Sequence, residues 1–183
     1  MLFIISQILA FVGTGIDLTG KVMKNKKGIL VCLVTASALF VLSYVFLNSP
    51  LPAIINGIAL GRNLTYTYLN SKQKPFKSFV IPMIISVALT TLAVGLLWTG
   101  PFDIIMIVSI LLLSVGLAFK NTLIVRICLM FNSGIWIIYD FALGAFVNVA
   151  CDVTNILINL IATIIYHVIL PRKAKRKEND IVK

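Results

Sequence analysis

Acidic residues are scarce in this chain, and so are the side chains that usually carry chemistry. Its 183 residues include six Asp and Glu, one His and three Cys. A single histidine excludes a His-rich metal site. The cysteines, Cys32, Cys128 and Cys151, lie in apolar runs with no C-x-x-C spacing, so they read as small apolar fillers. Cys151 and His167 stand far apart on one predicted helix, which disfavours a Cys–His nucleophile pair. There is no H-E-x-x-H, no G-K-[ST] phosphate loop and no soluble stretch large enough for ATP hydrolysis. The expectation is a protein that is not an enzyme, with no catalytic residues, metal ligands or cofactor.

Charge is low overall. Charged residues make up 12% of the chain, hydrophobic residues 60%, and the mean hydropathy is +1.04. Soluble domains sit near 45–50% apolar and about 25% charged. Disorder and a soluble single-core domain are both excluded. The 16 Lys and Arg give a net charge of +10. A basic balance points to nucleic acid only where the cations form a face. Here they cluster between long apolar runs, so the expected partner is a lipid bilayer and not nucleic acid.

A helix needs about 20 predominantly apolar residues to cross a hydrocarbon core. Seven stretches qualify: Leu2 to Leu18, Gly28 to Leu47, Leu51 to Leu69, Phe79 to Trp98, Phe102 to Phe119, Thr122 to Tyr139 and Phe146 to Leu170. Asn48-Ser49-Pro50, Pro75, Gly100-Pro101 and Pro171 punctuate them. Pro82 falls in the first turn of the fourth stretch, where its missing N–H costs little. The first stretch lacks a basic n-region and contains Gln7, Thr14 and Asp17, so it reads as a retained helix and not a cleaved signal.

The cations test this count independently. Apart from Arg62 and Arg126, every Lys and Arg falls in the first, third and fifth loops or in the tail. The positive-inside rule then places the tail in the cytoplasm and the N-terminus outside, which requires an odd number of spans. The expected fold is all-α: seven transmembrane helices, N-out and C-in, over residues 1–171, with a basic cytoplasmic tail at 172–183.

Seven helices suit a 3+1+3 parallel repeat, with repeat one at 1–71, a linker helix at 78–98 and repeat two at 101–171. A shift of 96 residues superposes Cys32 on Cys128, Ser37 on Ser133, Asn63 on Asn159 and Thr67 on Thr163. Phe40 falls on Trp136 and Asn56 on Asp152. The first and fifth helices join the match if the first loop takes about five extra residues, which sets Gly15 on Gly116.

Polar residues inside the spans are few and patterned. The seventh carries Asn148, Asp152, Asn155, Asn159 and Thr163 at steps that share one helix face. The third carries Asn56, Asn63, Tyr66 and Asn70 with Arg62 beside them; the first carries Gln7, Thr14 and Asp17; the sixth carries Arg126, Asn132, Ser133 and Trp136. Such residues can simply join helices, at about 0.6 kcal/mol per pair. A five-residue stripe echoed on its repeat mate exceeds that need and points to a water-accessible cavity or substrate path. Intramembrane charges cost about 2.5–3.5 kcal/mol on insertion scales and are functional candidates by default. Asp152 is the candidate proton or cation site, and an Asp17–Arg62 pair is a brace or an inner gate. Arg126, near the basic interface, reads as structural. Asp140 is expected at the outer surface, and His167 at the cytoplasmic end.

Asn56 with Arg62-Asn63, the stretch from Arg126-Ile-Cys through Asn132 to Trp136-Ile-Ile-Tyr-Asp140, and the amide-rich last helix resemble the YgjV-type family of bacterial inner-membrane proteins. That family is similar to the 3+1+3 group of SWEET, PQ-loop and PnuC-type transporters. The resemblance implies a small-solute carrier of the bacterial inner membrane and brings no assigned substrate. In the sugar transporters a pair of asparagines on helices three and seven lines the pocket; Asn63 and Asn159 are the matching positions. The Pro-Gln dipeptide and prolines in the first and fifth helices are missing here, so Gly13, Gly15 and Gly116 would supply any bend.

The leading expectation is a facilitator or proton-coupled carrier of a small, polar, uncharged solute such as a sugar, nucleoside or vitamin precursor. Asn63, Asn159, Asn155 and Asn56 would hydrogen-bond it, with Asn132 lining the site and Trp136 stacking on it; amides suit hydroxyls because they both donate and accept. The alternative is a non-transporting regulatory or partner-binding membrane protein whose polar residues serve helix packing. Monomer and homo-oligomer both stay open.

Overall fold

The computed structural model describes residues 2–98, 100–142 and 146–170, without the side chains of residues 140, 142 and 146–148. The expectations for Asp140, Asn148 and the tail at 172–183 lie outside the described residues. Seven α-helices follow one another: α1 (Leu2–Val22), α2 (Lys26–Phe46), α3 (Pro50–Ser71), α4 (Lys77–Leu96), α5 (Ile104–Ala118), α6 (Thr122–Ala142) and α7 (Phe146–Ile164). A 3-10 turn, Pro101–Asp103, leads into α5, and a π-helical turn, Ile165–Ile169, extends α7. No strand occurs among the described residues.

Among the described residues, six helical segments are long and apolar enough to cross a membrane. The exception is α3. Its 22 residues suffice in length, but Asn56, Arg62, Asn63 and Asn70 lower its hydropathy. Burial runs opposite to a soluble protein: Phe11, Ile81, Leu96 and Phe131 are exposed, while Ser6, Ser37, Asn63 and Ser114 are buried. That inversion is what a hydrocarbon solvent demands, since lipid cannot satisfy a polar group.

The helices close into a ring. α1 packs on α2 and α2 on α3; α5 packs on α6 and α6 on α7; α3 meets α5 and α7 meets α1. α4 leans on α3 and α5. One apolar cluster, including Ile29, Leu30, Tyr66, Phe79, Leu117 and Val125, binds the end where the lysine-bearing loops gather. A second, including Leu51, Ile55, Met106, Ile110 and Tyr139, lies toward the other end of the helices.

Local chemistry explains the joints. Asn25 caps α2, its Oδ1 accepting from Gly28 N at 2.8 Å, and Asn121 does the same at the start of α6 for Leu123 N at 2.9 Å. α3 begins with Pro50 at its first position after Asn48, which takes the left-handed conformation (φ 55°) that asparagine tolerates. Pro82 lies deeper than the sequence suggests. α4 begins at Lys77, so Pro82 is in its second turn and leaves the Ser78 carbonyl without its helical partner.

Two close approaches fix how α1 meets α2 and α5 meets α6. A Cβ on Gly20 would stand 2.6 Å from Cys32 Cβ, and one on Gly116 would stand 2.3 Å from Cys128 Cβ. Only glycine permits either contact. Gly15 has open space beside it. Gly20 and Gly116, Asn25 and Asn121, and Cys32 and Cys128 are each 96 residues apart, the shift that also relates Asn63 to Asn159. All three cysteines are free thiols, in keeping with their reading as small fillers.

Candidate functional site

A cavity of about 340 Å³ opens inside the ring. It is lined by residues of α1, α2, α3, α5, α6 and α7, and α4 contributes none of them. Its volume falls within the range of small-molecule pockets, about 300–1,000 Å³.

α3 presents Asn56 and Asn63 on its inner face with Arg62 beside them, as the helical spacing requires. Arg62 is 3% exposed and Asn63 is 1% exposed. The guanidinium is held on three sides. Nε and Nη2 donate to Asn63 Oδ1 at 3.2 and 3.0 Å, and Nη1 donates to Ser114 Oγ at 3.1 Å and to the Ile110 carbonyl at 3.3 Å. Asn63 Nδ2 donates in turn to Ser37 Oγ at 3.1 Å. The Asn63 amide is thus engaged at both ends. Asn56 Nδ2 donates to the Pro52 carbonyl at 2.9 Å, and its Oδ1 has no partner among the described residues.

The expected Asp17–Arg62 pair does not form. Asp17 accepts from Lys21 Nζ at 2.6 Å, one turn along its own helix, while Arg62 is turned toward α5. All three residues nevertheless line the cavity. Lys21 was legible only as a topology lysine, although its i,i+4 spacing from Asp17 was the available signal. It is 4% exposed.

On the opposite wall, α7 places Asp152 and Asn155 in the cavity. Asn155 Nδ2 donates to Asp152 Oδ1 at 3.3 Å, and Asn155 Oδ1 is buried without a partner. Ser133, Lys21 and Asp17 are close enough to act on the Asp152 carboxylate. α6 adds Asn132, whose Oδ1 accepts from Ser109 Oγ at 2.6 Å, and Trp136, whose ring meets Tyr139 edge-on at 5.5 Å. Asn132 Nδ2 has no partner among the described residues. The lining carries two acids, Asp17 and Asp152, and two bases, Lys21 and Arg62, so its formal charge balances.

Asn159 is placed differently from its sequence counterpart Asn63. It is 1% exposed, does not line the cavity, and neither its Oδ1 nor its Nδ2 has a partner among the described residues. The position matching Arg62 is Ile158, so no guanidinium is available to engage it.

Serines were the contributors least visible in the sequence. Ser6 and Ser43 join α1 to α2, their hydroxyls 3.0 Å apart, and Ser37 and Ser109 orient Asn63 and Asn132. Single serines in apolar helices carry no periodicity that marks them.

Arg126 sits outside the cavity and is fully buried. Its Nη1 and Nη2 donate to the carbonyls of Lys21 and Met23 at the end of α1, and the guanidinium lies over the Tyr166 ring at 5.3 Å. It satisfies carbonyls left open where a helix stops, a structural role in line with the sequence reading.

The Imp-YgjV family model, described as a bacterial inner membrane protein, matches residues 4–168. The chain belongs to the Imp-YgjV family. No curated protein and no solved structure matches it. This Imp-YgjV member is thus a multi-pass protein of the bacterial inner membrane, in agreement with its six long apolar helical segments.

Proposed function

We propose that the protein is a facilitator or proton-coupled carrier for a small polar solute without net charge, of the sugar, nucleoside or vitamin-precursor kind. The observation that carries this reading is the cavity itself, lined by Asn56, Asn132 and Asn155, with the buried Asn155 Oδ1 left without a hydrogen-bond partner. Asn63 has both ends of its amide engaged by protein groups, whereas Asn155 Oδ1 is a buried carbonyl oxygen left open on a residue that lines the cavity, a costly arrangement that a solute hydroxyl would relieve. It favours the carrier reading over a non-transporting regulatory or partner-binding protein. The balanced lining charge favours a neutral solute, and Trp136 offers a face for a ring.

In this reading Asn155, Asn132 and Asn56 contact the solute directly, while Asn63 holds Arg62 in place and Asn159 joins when the cavity lengthens along α7. Asp152 carries the coupling proton or cation. Asp17 with Lys21, and Arg62, close the basic side. No enzymatic activity is proposed.

The same reading has α3 crossing the bilayer as a seventh span, its polar face turned to the cavity. The N-terminus is then outside and the C-terminal tail cytoplasmic. The paired caps Asn25 and Asn121, the paired approaches Gly20–Cys32 and Gly116–Cys128, and the matched seams α3–α5 and α7–α1 support a 3+1+3 parallel repeat with α4 as linker, the arrangement of the SWEET-type carriers.

A thermal-shift screen of the purified protein against neutral metabolites tests the function. A hit that disappears in Asn155→Leu and Asn132→Leu, with melting lowered less than in Asn63→Leu, supports it. Hits that persist in both variants, or none across the library, would overturn it.

A further inference from the structure

A second pocket, of about 250 Å³, lies at the basic end and is separate from the cavity. It is lined by Lys26 of α2, Asn70 of α3, Gln73 and Lys74 of the following turn, Phe79 of α4 and Lys120 of the α5–α6 turn. No acidic residue lines it among the described residues.

Lys26 is the unusual member. It is the first residue of α2, at the positive end of the helix dipole, where a cation is disfavoured and an anion is welcome. It is only 6% exposed, and its Nζ is buried with no hydrogen-bond partner. The ammonium instead lies over the Phe79 ring, 5.1 Å from its centroid. A ring face offsets part of the lost hydration of a cation but accepts no full hydrogen bond. Buried charges are ordinarily paired, and here two further lysines line the same space.

The turn after α3 is bent to serve this pocket. Gln73 takes a left-handed backbone (φ 50°), rare for a residue with a side chain, with Gln73 N donating to the Asn70 carbonyl at 3.1 Å and Lys74 N to the Leu69 carbonyl at 3.0 Å. That fold-back sets Asn70, Gln73 and Lys74 together on the pocket, adding amide donors to the ammonium groups.

We infer that this pocket is an anion site for a phosphate group, borne by a lipid headgroup or by a free phosphorylated small molecule. Three ammonium groups with two amides match the charge and acceptor count of phosphate better than those of a single carboxylate. Basic pockets between helices on the cytoplasmic side are also where anionic headgroups settle. The inference does not depend on the carrier reading, because none of these residues lines the cavity.

The test uses purified full-length protein stripped of lipid in detergent. One arm titrates inorganic phosphate and pyrophosphate and reads the melting temperature. The other reconstitutes the protein with phosphatidylglycerol or phosphatidylcholine and reads retained lipid by native mass spectrometry. Stabilisation by the inorganic anions indicates a free ligand, and selective retention of phosphatidylglycerol indicates a headgroup. In either arm Lys26→Gln should weaken binding about tenfold or more, as expected for a lost charge-assisted contact. Lys120→Gln, on an exposed turn where folding is not at stake, should weaken it in the same direction. Wild-type protein that binds neither probe better than both variants do would overturn the proposal. So would a pocket that binds only after the tail carboxylates Glu178 and Asp180 are neutralised, because its anion would then be the chain's own.

Discussion

Arg62 and Asn63 are neighbours in sequence and bond to each other side chain to side chain, the guanidinium donating twice to one amide oxygen. Consecutive helical residues do not normally face each other. The contact exists because the long arginine folds back over the helix on its way to Ser114. It makes Asn63 the counter-dipole of a buried cation that has no carboxylate partner among the described residues.

Asn63→Leu should therefore destabilise the protein strongly. Removing the acceptor strands two guanidinium donors, a loss of about 1–3 kcal/mol or more for a charged group. The melting temperature in detergent should fall clearly below that of wild type, whereas Arg62→Leu with Asn63→Leu should recover part of the loss. A single variant that melts like wild type would remove this role from Asn63.

Asn155→Leu and Asn132→Leu should behave differently. Each loses one protein hydrogen bond, to Asp152 or from Ser109, and neither holds a buried guanidinium, so melting should fall less than in Asn63→Leu while solute binding is lost. Equal falls in melting temperature across Asn63, Asn132 and Asn155 variants would favour helix packing for all three.

Asp152→Asn should abolish any dependence of uptake on an inward proton gradient in proteoliposomes while leaving counterflow exchange intact. Gradient-driven uptake unchanged in the variant would take Asp152 out of coupling.

Gly116→Ala should be destabilising by about 1–3 kcal/mol, the range for an overpacked contact. The obstruction is Cys128 Cβ itself, so Cys128→Ala should not rescue it and Cys128→Gly should. Gly20→Ala with Cys32→Ala or Cys32→Gly should repeat the pattern. Differential melting of the six proteins decides it.

Arg126→Leu should lower stability by about 1.5–3 kcal/mol, because it uncaps two carbonyls at the end of α1 by removing a charged donor. Arg126→Lys, with one point of attachment in place of a fork, should recover only part of that.

Seven helices and their joints were legible because apolar runs of helical length and Pro, Asn and Gly breakers act locally. Helical spacing puts Asp152 and Asn155 on one face of α7 and Asn56 and Asn63 on one face of α3; that these faces share a cavity with Asn132 and Trp136 of α6 follows from how the helices pack. Partner choice was not legible either. Asp17 takes Lys21 because it is one turn away, and Arg62 reaches α5 because of how two helices cross, which a one-dimensional pattern does not contain. The equal spacing of Gly20 and Gly116 was present in the sequence, but its meaning depends on which cysteine each glycine meets.

Arg62 and Arg126 are the two cations that stand apart from the basic loops and tail, and each crosses between the first three helices and the last three. Arg62 reaches from α3 to Ile110 and Ser114 of α5, and Arg126 reaches from α6 to the end of α1. The first three helices and the last three are thus tied by a pair of long, jointed side chains, one thrown from each side. Shortening either arginine removes one of these two side-chain ties while leaving every helix's own backbone bonds in place.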